Sequence, residues 1–225
     1  MKRGLSIVVP VLLAAIFCGC RSSEPSVTST PFSNTTSTPF SNNVATNPLA
    51  ELESDLRQAA IDGEIETVKS LLAQGVNINA GDERGWTALR GAVFVENAQV
   101  VKLLLDRKAE PNIRAKDDGT TALHQAASSD SIEILKALLK SRADPNVQDS
   151  LSGMTPLMDA AGLRNVTATQ LMIENKADVN IRDKWGETVL DQVLESHESA
   201  IRSGRRSEAH NLGRVVKLLE KANAK

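Results

Sequence analysis

The sequence has 225 residues, of which 41% are apolar and 24% charged, with a formal net charge of −2. That length allows one large domain or two small ones, and the near-neutral charge argues against a general electrostatic grip on nucleic acid. Aromatic residues make up only 3%, with no tyrosine, which suits small stacked helices built on Ala and Leu and poorly suits a β-sandwich or barrel.

Lys2 and Arg3 open the chain with positive charge, and Leu5 to Phe17 form an apolar run broken only by Ser6 and Pro10. The run is too short to span a bilayer, which takes roughly 20 apolar residues. A positive start, a short apolar run and small residues at its end describe a signal peptide over residues 1–19. The two cysteines of the chain, Cys18 and Cys20, stand here, and none follows. The remainder is therefore expected to carry no disulfide, thiolate metal site or cysteine nucleophile. The end, Phe17-Cys18-Gly19-Cys20, resembles the lipobox of bacterial lipoproteins, with Phe17 in place of the usual Leu. The resemblance implies cleavage after Gly19 and acylation of Cys20, hence a lipid anchor in a bacterial envelope. Arg21 replaces the Asp of the family's inner-membrane retention signal, which implies the outer membrane, facing the periplasm, if the source has one.

Residues 20–48 read as a tether rich in Ser, Thr, Pro and Asn, in which Ser29-Thr30-Pro31-Phe32-Ser33-Asn34 recurs as Ser37-Thr38-Pro39-Phe40-Ser41-Asn42. Such a segment buries too little apolar surface to offset its ordering entropy.

Periodicity begins near Leu49. Gly85-Trp86-Thr87-Ala88-Leu89 is matched by Gly119-Thr120-Thr121-Ala122-Leu123, Gly153-Met154-Thr155-Pro156-Leu157 and Gly186-Glu187-Thr188-Val189-Leu190, with threonines 34, 34 and 33 residues apart. Later in each unit fall Leu71-Leu72, Leu104-Leu105, Leu138-Leu139 and Met172-Ile173, and then Asn79, Asn112, Asn146 and Asn180. Each unit thus holds two apolar helical stretches and a polar connector. Thr suits a helix N-cap, Pro156 the first helical position, and the Gly before each Thr a turn that other residues resist. Paired alanines allow close helix approach, and paired leucines fill the space between units.

The pattern resembles the ankyrin repeat, whose signature is T-P-L-H-x-A at a period of 33 residues. The best match is Thr121-Ala122-Leu123-His124-Gln125-Ala126. The resemblance implies an all-α solenoid of about five helix-turn-helix repeats over residues 49–225, at about 52–84, 85–118, 119–152, 153–185 and 186–222. The first unit lacks the Gly-x-Thr-Pro-Leu entry and is polar there, as a capping repeat should be. The last unit breaks after Val193, and its second apolar stretch resumes at Val215, about thirteen residues late. That predicts a lengthened first helix, a loop holding Arg202, Arg205 and Arg206, and a shorter cap helix near Glu208 to Ala222.

No catalytic constellation emerges, and neither a metal site nor a cofactor is expected. His124 occupies the motif's own His position, which by resemblance bonds within the turn. His197-Glu198 begins like H-E-x-x-H but lacks its second His, since position 201 is Ile201. A metal site or enzyme site in the 195–210 insertion, using His197 and His210, is the alternative reading. The acidic pairs Asp82-Glu83 and Asp117-Asp118 read as solvated charges at hairpin tips.

The resemblance implies a partner that is another protein, and no small-molecule substrate. By the family's surface positions the contact residues are Arg84, Trp86, Phe94, Val95, Leu151, Met154, Leu163 and Trp185. The three aromatic residues beyond the tether, Trp86, Phe94 and Trp185, all fall on those positions, which fits interface anchors. Local packing of each ring on its own hairpin is the competing reading. A tethered immunity-type protein, or an accessory factor for an envelope enzyme, would fit such a face.

Overall fold

The computed structural model describes residues 48–223. Among them are ten helices and no strand beyond an isolated bridge between Arg182 and Thr188. The helices pair as α1 (Pro48–Asp62) with α2 (Ile65–Ala73), α3 (Ala88–Phe94) with α4 (Ala98–Asp106), and α5 (Ala122–Ala127) with α6 (Ile132–Lys140). Then come α7 (Pro156–Gly162) with α8 (Val166–Glu174) and α9 (Val189–Arg202) with α10 (Arg206–Asn223). The first helices α1, α3, α5, α7 and α9 pack one on the next to form one layer. From α4 onward the second helices α6, α8 and α10 stack likewise in a second layer. The all-α repeat solenoid expected from the sequence is therefore present.

The sequence dictates where each first helix starts. Thr87, Thr121, Thr155 and Thr188 are the N-caps, in extended backbone, of α3, α5, α7 and α9. The Oγ1 atoms of Thr87, Thr155 and Thr188 accept the N3 backbone N–H, which satisfies a donor that the helix cannot. Pro156 opens α7, where its missing N–H costs nothing. Two further caps, Asn97 on α4 and Asn165 on α8, accept from Val100 and Ala168. The helices are short, so their stability comes from packing one apolar face rather than from propensity.

The motif leucines Leu89, Leu123 and Leu157 and the second-helix residues Leu104, Leu138 and Met172 are fully buried. The small residues Ala60, Ala92, Ala126 and Ala160 let the layers approach and are themselves buried. Gly91 shows why size matters: a Cβ there would lie 2.9 Å from Ile61 Cγ1, so any side chain would force Ile61 to move.

Between repeats runs a hairpin tip. Each tip is closed by its own backbone bond, such as Asp82 N–H to Trp86 O at 3.1 Å, Asp149 to Met154 at 2.9 Å and Asp183 to Glu187 at 2.9 Å. Each of the three later tips is also tied to the tip before it, by Lys116 N–H to Arg84 O, Ser150 to Asp118 and Lys184 to Ser152. At the base, Asn79, Asn112 and Asn146 each accept the backbone N–H of the following repeat, at Glu110, Asp144 and Asp178, all at 2.8 Å. Gly85, Gly119, Gly153 and Gly186 have φ between 71° and 84°, the left-handed region that a side chain resists.

Two expectations are corrected. Pro48, assigned to the tether, is the first residue of α1, one residue ahead of the expected domain start at 49. The insertion does not make a loop before a short cap helix. It lengthens both helices, α9 to 14 residues and α10 to 18, and only a tight turn over residues 203–205 separates them. A helical pair satisfies its own backbone, which an irregular loop of that length would not. Arg202 and Arg206 are accordingly helix-end residues, and Arg205 donates to Glu208 at 2.8 Å. The signal peptide over 1–19, Cys20 and the tether up to residue 47 lie outside the described residues.

Candidate protein-binding face

The tips and first helices share one side of the stack, and the conformation of each tip is set by an aspartate. Asp82 Oδ1 accepts the backbone N–H of Arg84 (2.9 Å) and Trp86 (2.8 Å). Asp149 accepts from Leu151, Ser152 and Met154, and Asp183 from Trp185 and Glu187. In the remaining tip Ala115 takes that place, and Asp118 accepts from Thr120 N–H and Oγ1 instead. Asp82 and Asp118 are thus turn-forming acceptors rather than merely solvated charges. Burial alone would raise the Asp149 carboxyl, but its hydrogen bonds outweigh that and hold it below its ordinary value.

These tips and the ends of α3 and α7 present large apolar side chains to water. Leu151 is 69% exposed, Trp185 69%, Phe94 58%, Leu163 54% and Val95 39%. Arg84 is exposed, while Met154 and Trp86 are half-buried. Trp86 therefore departs from the expected freely exposed anchor. Its ring meets Phe94 edge-on, with centroids 5.7 Å apart and planes at 63°, and Arg90 lies over it at 4.5 Å. Its Nε1 is buried without a partner. Local packing holds much of this ring, leaving Phe94 and Trp185 as the open aromatic faces.

Arg90 was not singled out in the sequence, although its position signals it. It stands where the motif has His, one period before His124, and reaches across to the next repeat as His does. Its guanidinium donates to Thr120 O (3.2 Å) and Thr120 Oγ1 (2.7 Å) and lies 3.7 Å from Asp118. His124 Nε2 meets Met154 O at 3.3 Å, the residue before the next repeat's Thr. His124 Nδ1 accepts the Thr121 N–H at 3.1 Å. A backbone N–H only donates and a carbonyl only accepts, so the ring is neutral with its proton on Nε2. Burial holds its pKa below the ordinary 6.5.

Asp159, on α7, is the other residue that sequence reading missed. It is half-buried, and its carboxylate makes neither a hydrogen bond nor an ion pair among the described residues. Burial, with the Asp149 charge adding to it, pushes its carboxyl up to about 7. The two aspartates make a controlled contrast: donors hold Asp149 ionised, and their lack leaves Asp159 uncompensated.

In the α9–α10 pair His210 is exposed, while His197 is half-buried and close to the α10 backbone. A Cβ on Gly213 would lie 3.3 Å from its Nε2. Among the described residues no three His, Cys, Asp or Glu side chains gather in a metal-holding group, and no helix is long and apolar enough to cross a membrane.

Comparison with known proteins agrees with this geometry. Residues 56–149 match the family model for ankyrin repeats in three copies, and residues 152–184 match the single ankyrin repeat. The mouse protein "Ankyrin repeat, SAM and basic leucine zipper domain-containing protein 1" is 40% identical over 62 residues, which cover 28% of this chain and 13% of that protein. Its human counterpart is 36% identical over 62 residues, with the same coverage, and that of Carollia perspicillata 35% over 65 residues, or 29% and 14%. The chain thus matches only about a seventh of the length of these curated relatives or less. What is shared is the repeat, and repeats of this kind are protein-interaction modules; by its repeated helix pairs and these matches the chain belongs to the ankyrin-repeat proteins.

Proposed function

We propose that the chain is a non-catalytic protein-binding module working outside the cytoplasm, held to a membrane by a lipid on Cys20. The observation that carries the binding reading is the run of exposed Phe94, Val95, Leu151, Leu163 and Trp185 on the tips and first-helix ends of successive repeats. Scattered apolar residues are ordinary on a protein surface. Large ones recurring over three successive repeats, on aspartate-held tips and at the ends of first helices, suit a preorganised interface. The anchor is supported by Lys2, Arg3, the apolar run to Phe17 and the Gly19-Cys20 end. Two or three acyl chains would hold such a protein firmly, since each buried methylene contributes about 0.8 kcal/mol. A role as an immunity-type protein or an accessory factor of an envelope enzyme fits a tethered binding face.

One experiment addresses both parts. The full chain, tagged at its C-terminus, is captured from detergent-solubilised membranes of cells fed an alkyne-labelled palmitate. The wild type is expected to carry the label and to bring down a defined partner, Cys20→Ser to lose the label, and Trp185→Ala with Leu163→Asp to lose the partner. An unlabelled wild type rejects the anchor, and partner capture unaffected by the double variant rejects the face.

A further inference from the structure

We propose that the first-helix side of the fourth repeat takes a lysine or arginine side chain of the partner protein onto the Asp159 carboxylate, with apolar groups of that partner against Leu163 and Leu151. This rests on the protein-binding reading above and names the chemistry of the partner.

The starting point is an unmet charge. The nearer cations on this side are already engaged: Arg90 by Thr120 and Asp118, Arg114 by Gln148 O, Lys184 by Ser150 O, and Arg164, at the end of α7, by Glu208. None of the three helices packed on α7 offers Asp159 a cation, and α8 holds no Lys or Arg at all. α5 (Ala-Leu-His-Gln-Ala-Ala) holds no Lys or Arg, and its His124 is neutral. α9 contributes Asp191, Glu195 and Glu198, with Arg202 only at its far end. The forces that act on the Asp159 carboxyl are its burial and the Asp149 charge, both of which oppose ionisation. A carboxylate kept half out of water with no donor is destabilising in the free protein.

Its surroundings fit one occupant. Leu163 caps α7 one turn along, its N–H bonded to Asp159 O at 3.1 Å, so the two side chains share a face. Asp149, which acts on Asp159, also holds the tip that displays Leu151 and Met154. An acidic group that shares a helix face with the exposed Leu163 complements a long cationic side chain, whose stem is apolar and whose head is charged. A cation arriving in this partly desolvated setting favours the ionised carboxylate and removes the penalty. Anionic lipid headgroups and phosphates are repelled by the same acids. A lone carboxylate without two further ligands does not hold a metal ion, and no such group of three exists among the described residues.

The test uses the full chain and a random dodecapeptide library displayed on phage. Enriched peptides are expected to carry Lys or Arg beside Leu, Ile or Phe. Their Kd should rise at least tenfold on Asp159→Asn and stay unchanged on Lys136→Glu, which alters the second-helix layer. Asp159→Asn keeps the shape of the side chain and relieves a destabilising charge, and a thermal melt confirms that it remains folded. Peptides that lack basic residues, or that bind Asp159→Asn as tightly as the wild type, overturn the proposal. If such peptides still lose binding on Leu163→Asp, the binding face stands and only the cation site falls. Binding that survives both variants, or a library that yields no binder, overturns both.

Discussion

Replacing Asp159 by Asn is expected to stabilise the protein, and only away from acid. The carboxyl ionises at an ordinary 3.8 in the unfolded chain and at about 7 in the folded one. Below 3.8 both states hold the proton, and Asn imitates the neutral group. As pH rises from 3.8 to 7 the unfolded state releases the proton first, so the wild type loses stability over that window. The gap of about 3 units, at 1.36 kcal/mol each, sets a ceiling of about 4 kcal/mol. Residual solvent access screens part of that, and about 2 kcal/mol is the expected gain at pH 8. Urea unfolding at pH 4, 6 and 8 measures it: the two proteins should match at pH 4 and diverge by pH 8. A constant difference across that range would refute the reasoning, since it would owe nothing to ionisation of Asp159.

Three further outcomes follow from the same geometry. His124, neutral and bonded on both nitrogens, has a folded pKa below 6.5, so its share of stability is complete above 6.5 and falls as pH drops below it; an NMR titration finding that ring protonated at or above 6.5 contradicts this. Arg90→Ala removes two hydrogen bonds to Thr120, the approach to Asp118 and the stacking on Trp86, a loss of about 2–3 kcal/mol in urea unfolding. Arg142 has φ 65° where the first repeat has Gly75, so Arg142→Gly should gain about 0.5–1 kcal/mol, the left-handed strain relieved less the entropy of glycine; a destabilised variant would sink that argument.

The fold was legible because each repeat writes the same instructions. The Thr caps, the Gly turns and the paired Leu and Ala positions recur at fixed spacing, so four weak local signals reinforce one another. The last unit was misread because its apolar phase breaks between Val193 and Val215. Spacing alone does not distinguish a loop from helices extended by Glu195–Arg202 and Arg206–Arg214. Within the candidate face, the exposed Phe94, Leu151, Leu163 and Trp185 followed from family positions. The roles of Trp86, Arg90 and Asp159 did not, for a common reason. Trp86 is covered by residues one and two turns along α3 that only the folded helix brings over it. Arg90 is defined by contacts to Thr120 and Asp118 in the next repeat. Asp159 is defined by partners it lacks, and a sequence does not display which donors fail to arrive.

The central claim, that this protein works through its tips and first helices, is tested most directly by site-specific photo-crosslinking in living cells. A photoreactive residue is placed at Leu163 or Trp185 on one side and at Lys136 or Lys217 on the other. The account predicts crosslinks to one and the same protein from positions 163 and 185 and none from 136 and 217. Crosslinks to a defined partner from the second-helix positions alone would contradict it.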